Sequence, residues 1–108
     1  MEISNIILNE TIKVEEEIAS EWLAWIHKEY LPIYINSDLV ISTQINRIIQ
    51  SDPDGAESYA IQYTLPDMAA IHRLHTSVIQ KAQVLLQQKY NGKYVIFRTM
   101  MEVMHIAN

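Results

Sequence analysis

Alternation comes first along this chain: Ile6, Leu8, Ile12 and Val14 share one parity, Ile3 and Ile7 take the other, and β-branched residues run throughout. A period of two predicts a first strand over residues 3–14. The period then lengthens. From Glu15 the positions Ile18, Trp22, Trp25, Ile26 and Ile33 fall on one helical face, and Pro32 is expected to end or kink that helix, because its ring removes a backbone donor. Asn36-Ser37-Asp38 reads as a turn. A second strand is predicted from residue 39 to about 50, with Leu39, Ile41, Ile45 and Ile49 on one face. Asp52-Pro53-Asp54-Gly55 has the chemistry of a hairpin connection. The third strand, 57–65, sets Tyr59, Ile61, Tyr63 and Leu65 against Ser58, Ala60, Gln62 and Thr64.

Asp67 is placed to cap a second helix whose stripe is Met68, Ile71, Leu74, His75, Val78, Ile79, Ala82, Leu85 and Leu86. Asn91-Gly92 closes it. A last strand, from 93 to about 105, is apolar on both parities, with Tyr94, Ile96, Met100 and Met104 on one side and Val95, Phe97, Met101 and Val103 on the other. The order βαββαβ closes through right-handed crossovers into a ferredoxin-like α+β fold, a four-stranded antiparallel sheet with two helices on one face. Two helices shield one side only. The first and last strands are apolar on both sides, so a second copy of the chain, a homodimer through the sheet face, is the expected cover.

Composition narrows the function classes. A chain of 108 residues, 49% hydrophobic, supports one domain, 1–108. With no cysteine there is no thiol nucleophile, disulfide or thiolate metal site. Net charge is −5 and the eight Lys and Arg are scattered, which argues against nucleic acid as a partner. No apolar run is long enough to span a membrane and the first residues lack a signal-peptide pattern, so a cytoplasmic protein is expected. Gly55 and Gly92, the only glycines, are both accounted for by turns, and a phosphate-cradling loop is not expected. Nothing in the composition calls for a cofactor. Glu15-Glu16-Glu17 suits the positive end of the first helix.

Candidate chemistry centres on a few side chains. At helical spacing Glu29 lies on the same face as Trp22, Trp25 and Ile26, so its carboxylate is expected to point at the core. There it serves either as an acid or base of raised pKa or as half of an ion pair, with Arg98 or Arg47 as partner. The pair is the commoner outcome. Glu10 interrupts the apolar parity of the first strand and competes for the same arginines, unless a bulge at Asn9-Glu10 turns it outward. His75 sits within the apolar stripe of the second helix, and His72 three residues earlier completes a His-x-x-His without a matching carboxylate, so a metal site is not expected. His27 and His105 read as solvent-facing. Trp22, Trp25, Tyr59 and Tyr63 either fill the core or line a flat apolar pocket for a small apolar or aromatic ligand. Met68, Met100, Met101 and Met104 are similarly divided between gap-filling and an adaptable surface.

The helix motif Trp22-Leu23-x-Trp25-Ile26 with Tyr30-Leu31-Pro32, the strand Tyr59-Ala60-Ile61-Gln62-Tyr63, and the run from Gly92-Lys93-Tyr94 to Met101-Glu102-Val103 resemble a small bacterial family known only as a domain of unknown function. That family in turn is similar to the dimeric α/β-barrel proteins, which include antibiotic-biosynthesis-monooxygenase-like members. The resemblance implies a ferredoxin-like subunit, a sheet-to-sheet dimer, and in some relatives a small apolar substrate held between sheet and helices. It departs at Tyr30, where a histidine is expected before the Leu-Pro step, and this weakens a proton-transfer role there. Two functions follow as expectations. The first is a non-enzymatic ligand-binding or accessory module. The alternative is a cofactor-independent monooxygenase or isomerase in which Glu29 or His75 moves a proton and Arg98 or Tyr63 steadies negative charge.

Overall fold

The structure is a computed structural model, which describes residues 5–49, 53–104 and 107. Four strands, β1 (Ile6–Val14), β2 (Ser42–Arg47), β3 (Glu57–Leu65) and β4 (Tyr94–Glu102), form one antiparallel sheet in the order β2-β3-β1-β4. The expected βαββαβ order is the one found. β1 lies between β3 and β4 in unbroken register, from Ile6 opposite Leu65 and Glu102 to Val14 opposite Glu57 and Tyr94. No bulge falls at Asn9-Glu10. The even residues of β1 therefore all face one way, toward the helices, and Glu10 goes with them into the core beside Leu8 and Ile12.

β2 is shorter than its hydrophobic pattern predicts. Ladder pairing starts at Ser42 and ends at Arg47, and both Ile41 and Ile49 are exposed, Ile49 to 97%. Only Thr43 and Ile45 of this strand turn toward the helices and are partly covered. At a sheet edge an isoleucine gains burial only where a helix reaches over it. Of the hairpin signal, Asp52 lies outside the described residues; Pro53 and Asp54 form a turn and Gly55 takes the left-handed φ of 76° expected of it. The Asn36-Ser37-Asp38 turn also forms, with Ser37 Oγ donating to the Tyr34 carbonyl at 2.6 Å and Asp38 at φ 64°.

Both helices contain a wide turn. The first, residues 16–35, passes from a 3₁₀ turn (Glu16–Ile18) through α (Ala19–Trp25) and π (Ile26–Tyr30) segments and back to α (Leu31–Ile35). Pro32 does not end it. The proline sits in the first turn after the π segment, where its missing N–H is accommodated by the locally widened hydrogen-bond pattern. The second helix, residues 68–90, likewise runs α (Met68–Arg73), π (Leu74–Ile79), α (Gln80–Tyr90). A π turn holds about one more residue than an α turn and so shifts the phase of everything after it by about 100°.

The consequence is a buried stripe at intervals of four. In the first helix it is Trp22, Ile26, Tyr30 and Tyr34; in the second, Ala70, Leu74, Val78, Ala82, Leu86 and Tyr90. Met68 and Leu85, expected in the stripe, are exposed, as are Met100, Met101 and Met104. Asp67 caps the second helix as predicted, its carboxylate accepting from the Ala70 N–H at 2.9 Å. Asp67→Ala is expected to cost about 1 kcal/mol of unfolding free energy in urea melts.

Candidate functional site

Glu10 is fully buried. It projects from the central strand β1 with Arg98 as its cross-strand neighbour on β4 and Ile61 on β3, so the sheet register alone places a cation at its side. Arg98 Nε donates to Glu10 Oε2 at 2.9 Å. Tyr63, two residues from Ile61 on the same face, donates to Oε1 at 2.8 Å. The first helix supplies the rest: Tyr34 donates to Oε2 at 2.9 Å, and the Tyr30 hydroxyl reaches both oxygens at 3.0 and 2.9 Å. Tyr30 and Tyr34 are also 3.3 Å apart at their hydroxyls. Four donors converge on one carboxylate, whose oxygens in the ionised form only accept.

Ring packing holds the hydroxyls in place. Tyr34 stacks on Tyr63 with centroids 4.0 Å apart and planes 17° from parallel, and Tyr30 leans on Tyr34 at 5.4 Å and on Trp25 at 6.0 Å. Burial, followed by the Glu10 charge, pushes the Tyr30, Tyr34 and Tyr63 hydroxyls well above the ordinary tyrosine range. At Arg98, burial works against the guanidinium, but Glu10 and the surrounding hydroxyls outweigh it and the net shift is upward. The tyrosines are thus locked as donors, and Arg98 as a cation. This arrangement binds a negative charge it already contains, and it leaves the carboxylate no free lone pair directed at an outside molecule.

The residues expected from the sequence are distributed differently. Glu29, placed in the core at 3.6 spacing, is exposed, because the π segment rotates Tyr30 onto the buried face in its stead. Its anticipated partners are engaged elsewhere: Arg98 with Glu10, and Arg47 with Glu57 at 3.9 Å. His75 is exposed for the same reason, since the second π segment keeps Leu74 and Val78 inward. His27 and His72 are exposed, and His105 lies outside the described residues. Arg98 and Tyr63 are brought together, with Glu10 between them. No group of three or more metal-ligating side chains forms among the described residues.

Trp22, Tyr59 and Tyr63 are buried, while Trp25 is half-buried between Tyr30 and Tyr90. Trp22 packs on Tyr59 at 5.1 Å, and its indole nitrogen has no hydrogen-bond partner among the described residues. The Tyr59 hydroxyl donates to Glu57 at 2.7 Å. Depressions lie at the periphery of the described surface. A groove of about 420 Å³ runs between Pro32, Asn36, Leu39, Ser77 and Lys81, and a smaller one of about 170 Å³ lies beside Leu23, His27, Arg47 and Tyr59. Two buried tyrosines, Tyr30 and Tyr34, were missed as site residues. Their four-residue spacing and the carboxylate that interrupts the apolar parity of β1 were the available signals.

A ferredoxin-like α+β protein with a sealed, charged core is the class that this fold and site define. Within it, the chain belongs to the DUF4286 family, a domain of unknown function that matches residues 5–104. No curated protein matches it in sequence. Among solved structures it is similar to a dimeric ferredoxin-like protein from an uncultured marine organism, at 14% identity and a TM-score of 0.69, over 96% of this chain and 99% of that one. An ethyl tert-butyl ether (ethd) family protein from Bacillus halodurans C-125 matches at 9% identity and TM-score 0.69, over 92% of this chain and 99% of that chain. A third, an antibiotic-biosynthesis-monooxygenase-like protein from Caulobacter crescentus CB15, matches at 18% identity and TM-score 0.64, over 94% of this chain and 92% of that one. At these identities the likeness is one of fold. No described helix is long and apolar enough to cross a membrane.

Proposed function

We propose that this chain is a single-domain subunit of a non-enzymatic homodimer, an accessory module whose two copies meet through their open sheet faces. The observation that carries the non-enzymatic part is the saturation of Glu10. Its carboxylate, the buried charge best suited to acid or base work, is occupied by Tyr30, Tyr34, Tyr63 and Arg98 within the same chain. A general base has to keep a lone pair aimed at a proton of its substrate. The volume between sheet and helices, where an apolar substrate would sit, holds Trp22, Tyr34, Tyr59 and Tyr63 packed ring against ring.

The dimer is supported by the face that the helices leave uncovered. Phe97 is 65% exposed there, with Val95 and Met101 also open to water on the same strand parity. Large apolar side chains grouped in the open on one sheet face mark an interaction surface. The marine structure of TM-score 0.69 is itself described as dimeric.

Sedimentation velocity at micromolar concentration is expected to give twice the 12.5 kDa protomer mass. A monomer at that concentration overturns the assembly. For the sealed core, a planar aromatic probe such as 1-naphthol at millimolar concentration is expected to leave the melting temperature unchanged; a rise of several degrees with altered tryptophan fluorescence overturns it.

A further inference from the structure

The open face of the sheet is two surfaces side by side. Its β1–β4 half carries Ile7, Val95, Phe97 and Met101, with Ile7 directly opposite Met101 and Thr11 opposite Phe97; the Asn9–Thr99 pair lies between them, and the Asn9 carboxamide already donates to Thr11 Oγ1 at 2.9 Å. Its β2–β3 half carries carboxamides and hydroxyls, centred on Gln44 opposite Gln62, with Asn46 accepting from Gln44 Nε2 at 2.8 Å. Charge is nearly missing from both halves. Among the described strand residues, Lys13 is the only charged one on this face, and it pairs with Asp54 at 3.3 Å; Glu10, Arg47, Glu57, Arg98 and Glu102 all have the helix-side parity.

In a protein of net charge −5, two copies repel one another through their charged surfaces. An uncharged face is complementary to itself, and depletion of charge is the compositional mark of an interface centre. A twofold dimer uses the same face of both copies, so that if residue i meets residue j, j also meets i. Whether the two halves then cross or match is decided by desolvation. Apolar against apolar gains about 25 cal/mol per Å² removed from water, whereas an isoleucine or phenylalanine laid over a glutamine strips that carboxamide of water without giving it a partner.

Resting on the homodimer reading, we propose that the second copy docks off-centre, on the β1–β4 half, with the twofold axis passing by the Thr11–Phe97 pair. Phe97 and Met101 lie at the centre of the contact, and the Gln44–Gln62 row stays in water at its margin.

Sedimentation velocity on the full chain over a dilution series tests this with Phe97→Asp and Gln62→Lys. Circular dichroism confirms that each variant folds, as expected for changes on an exposed face. Phe97→Asp is expected to raise the dimer dissociation constant at least about 30-fold, the loss typical of an interface hot spot, and Gln62→Lys to change it less than about 3-fold. Loss of the dimer in Gln62→Lys, with or without loss in Phe97→Asp, overturns the off-centre placement while leaving the homodimer standing. A wild-type monomer overturns both.

Discussion

Replacing Glu10 by alanine is expected to lower the unfolding free energy by about 3–5 kcal/mol, the range seen when one member of a buried charge pair is removed. The cause is what remains. Arg98, with a side chain only 20% exposed, keeps a cation without its anion, and three tyrosyl hydroxyls that converge on one point lose their common acceptor. Each buried donor left unsatisfied costs about 1–3 kcal/mol, and such losses within one network do not add. Arg98→Met is expected to be milder than Glu10→Ala, because the tyrosines still satisfy the carboxylate. Urea unfolding followed by tryptophan fluorescence, at one fixed protein concentration, measures both. A loss below about 1 kcal/mol for Glu10→Ala would mean that water enters and replaces the carboxylate, and the sealed-core reading would fall.

Alkaline pH is expected to unfold the protein cooperatively, and the tyrosines are the reason. Tyr30, Tyr34 and Tyr63 have native pKa values raised above the ordinary tyrosine value near 10, by burial first and the Glu10 charge second. A group whose folded pKa is raised contributes stability that is complete below the unfolded pKa. It is lost as pH rises past that value, because the unfolded chain releases its proton while the native one holds it. For three such groups the loss approaches about 4 kcal/mol for each pH unit above 10. Absorbance at 295 nm is therefore expected to show these three tyrosines ionising only with the loss of near-ultraviolet circular dichroism, whereas Tyr90, pushed up to about 12 by burial and its bond to Glu21, lies outside the Glu10 network. Six tyrosines titrating smoothly near pH 10 with the fold intact would overturn the network.

How much of this was legible depends on which periodicity is asked. The period of two is rigid, since consecutive side chains of a strand must alternate, and it placed Tyr59, Ile61, Tyr63 and Leu65 on the buried face of β3 without error. It also flagged Glu10, the carboxylate that interrupts the apolar parity of β1, as a rival for Arg98. What alternation could not give was the identity of the strand beside β1 at that point, and so whether a cation would meet it. β2 shows the opposite failure: Ile41 and Ile49 continue the pattern of Ile45, yet the regular ladder runs only from Ser42 to Arg47 and both isoleucines stay exposed.

The helical period is soft, and there the expectation for Glu29 and His75 failed. A stripe computed at 3.6 residues per turn accumulates error when a π segment intervenes, and one inserted residue is enough to exchange Glu29 for Tyr30. Pro32 was a local sign that this helix would not be regular, but a proline does not say on which side the widening falls.

By itself the sequence determined the element order, the turns at Asn36, Gly55 and Gly92, the capping by Asp67, and the apolar excess of β4, all of which depend on neighbours within a few residues. Tertiary structure alone decided that Glu10 and Arg98, 88 positions apart, would be one pair, and that Tyr30, Tyr34 and Tyr63 would close around them. The physical reason is the difference in range. Backbone geometry and turn chemistry act locally, whereas the phase of a helix over a sheet is set by the packing of whole elements, which here favoured a widened turn that brings two tyrosines to a buried carboxylate.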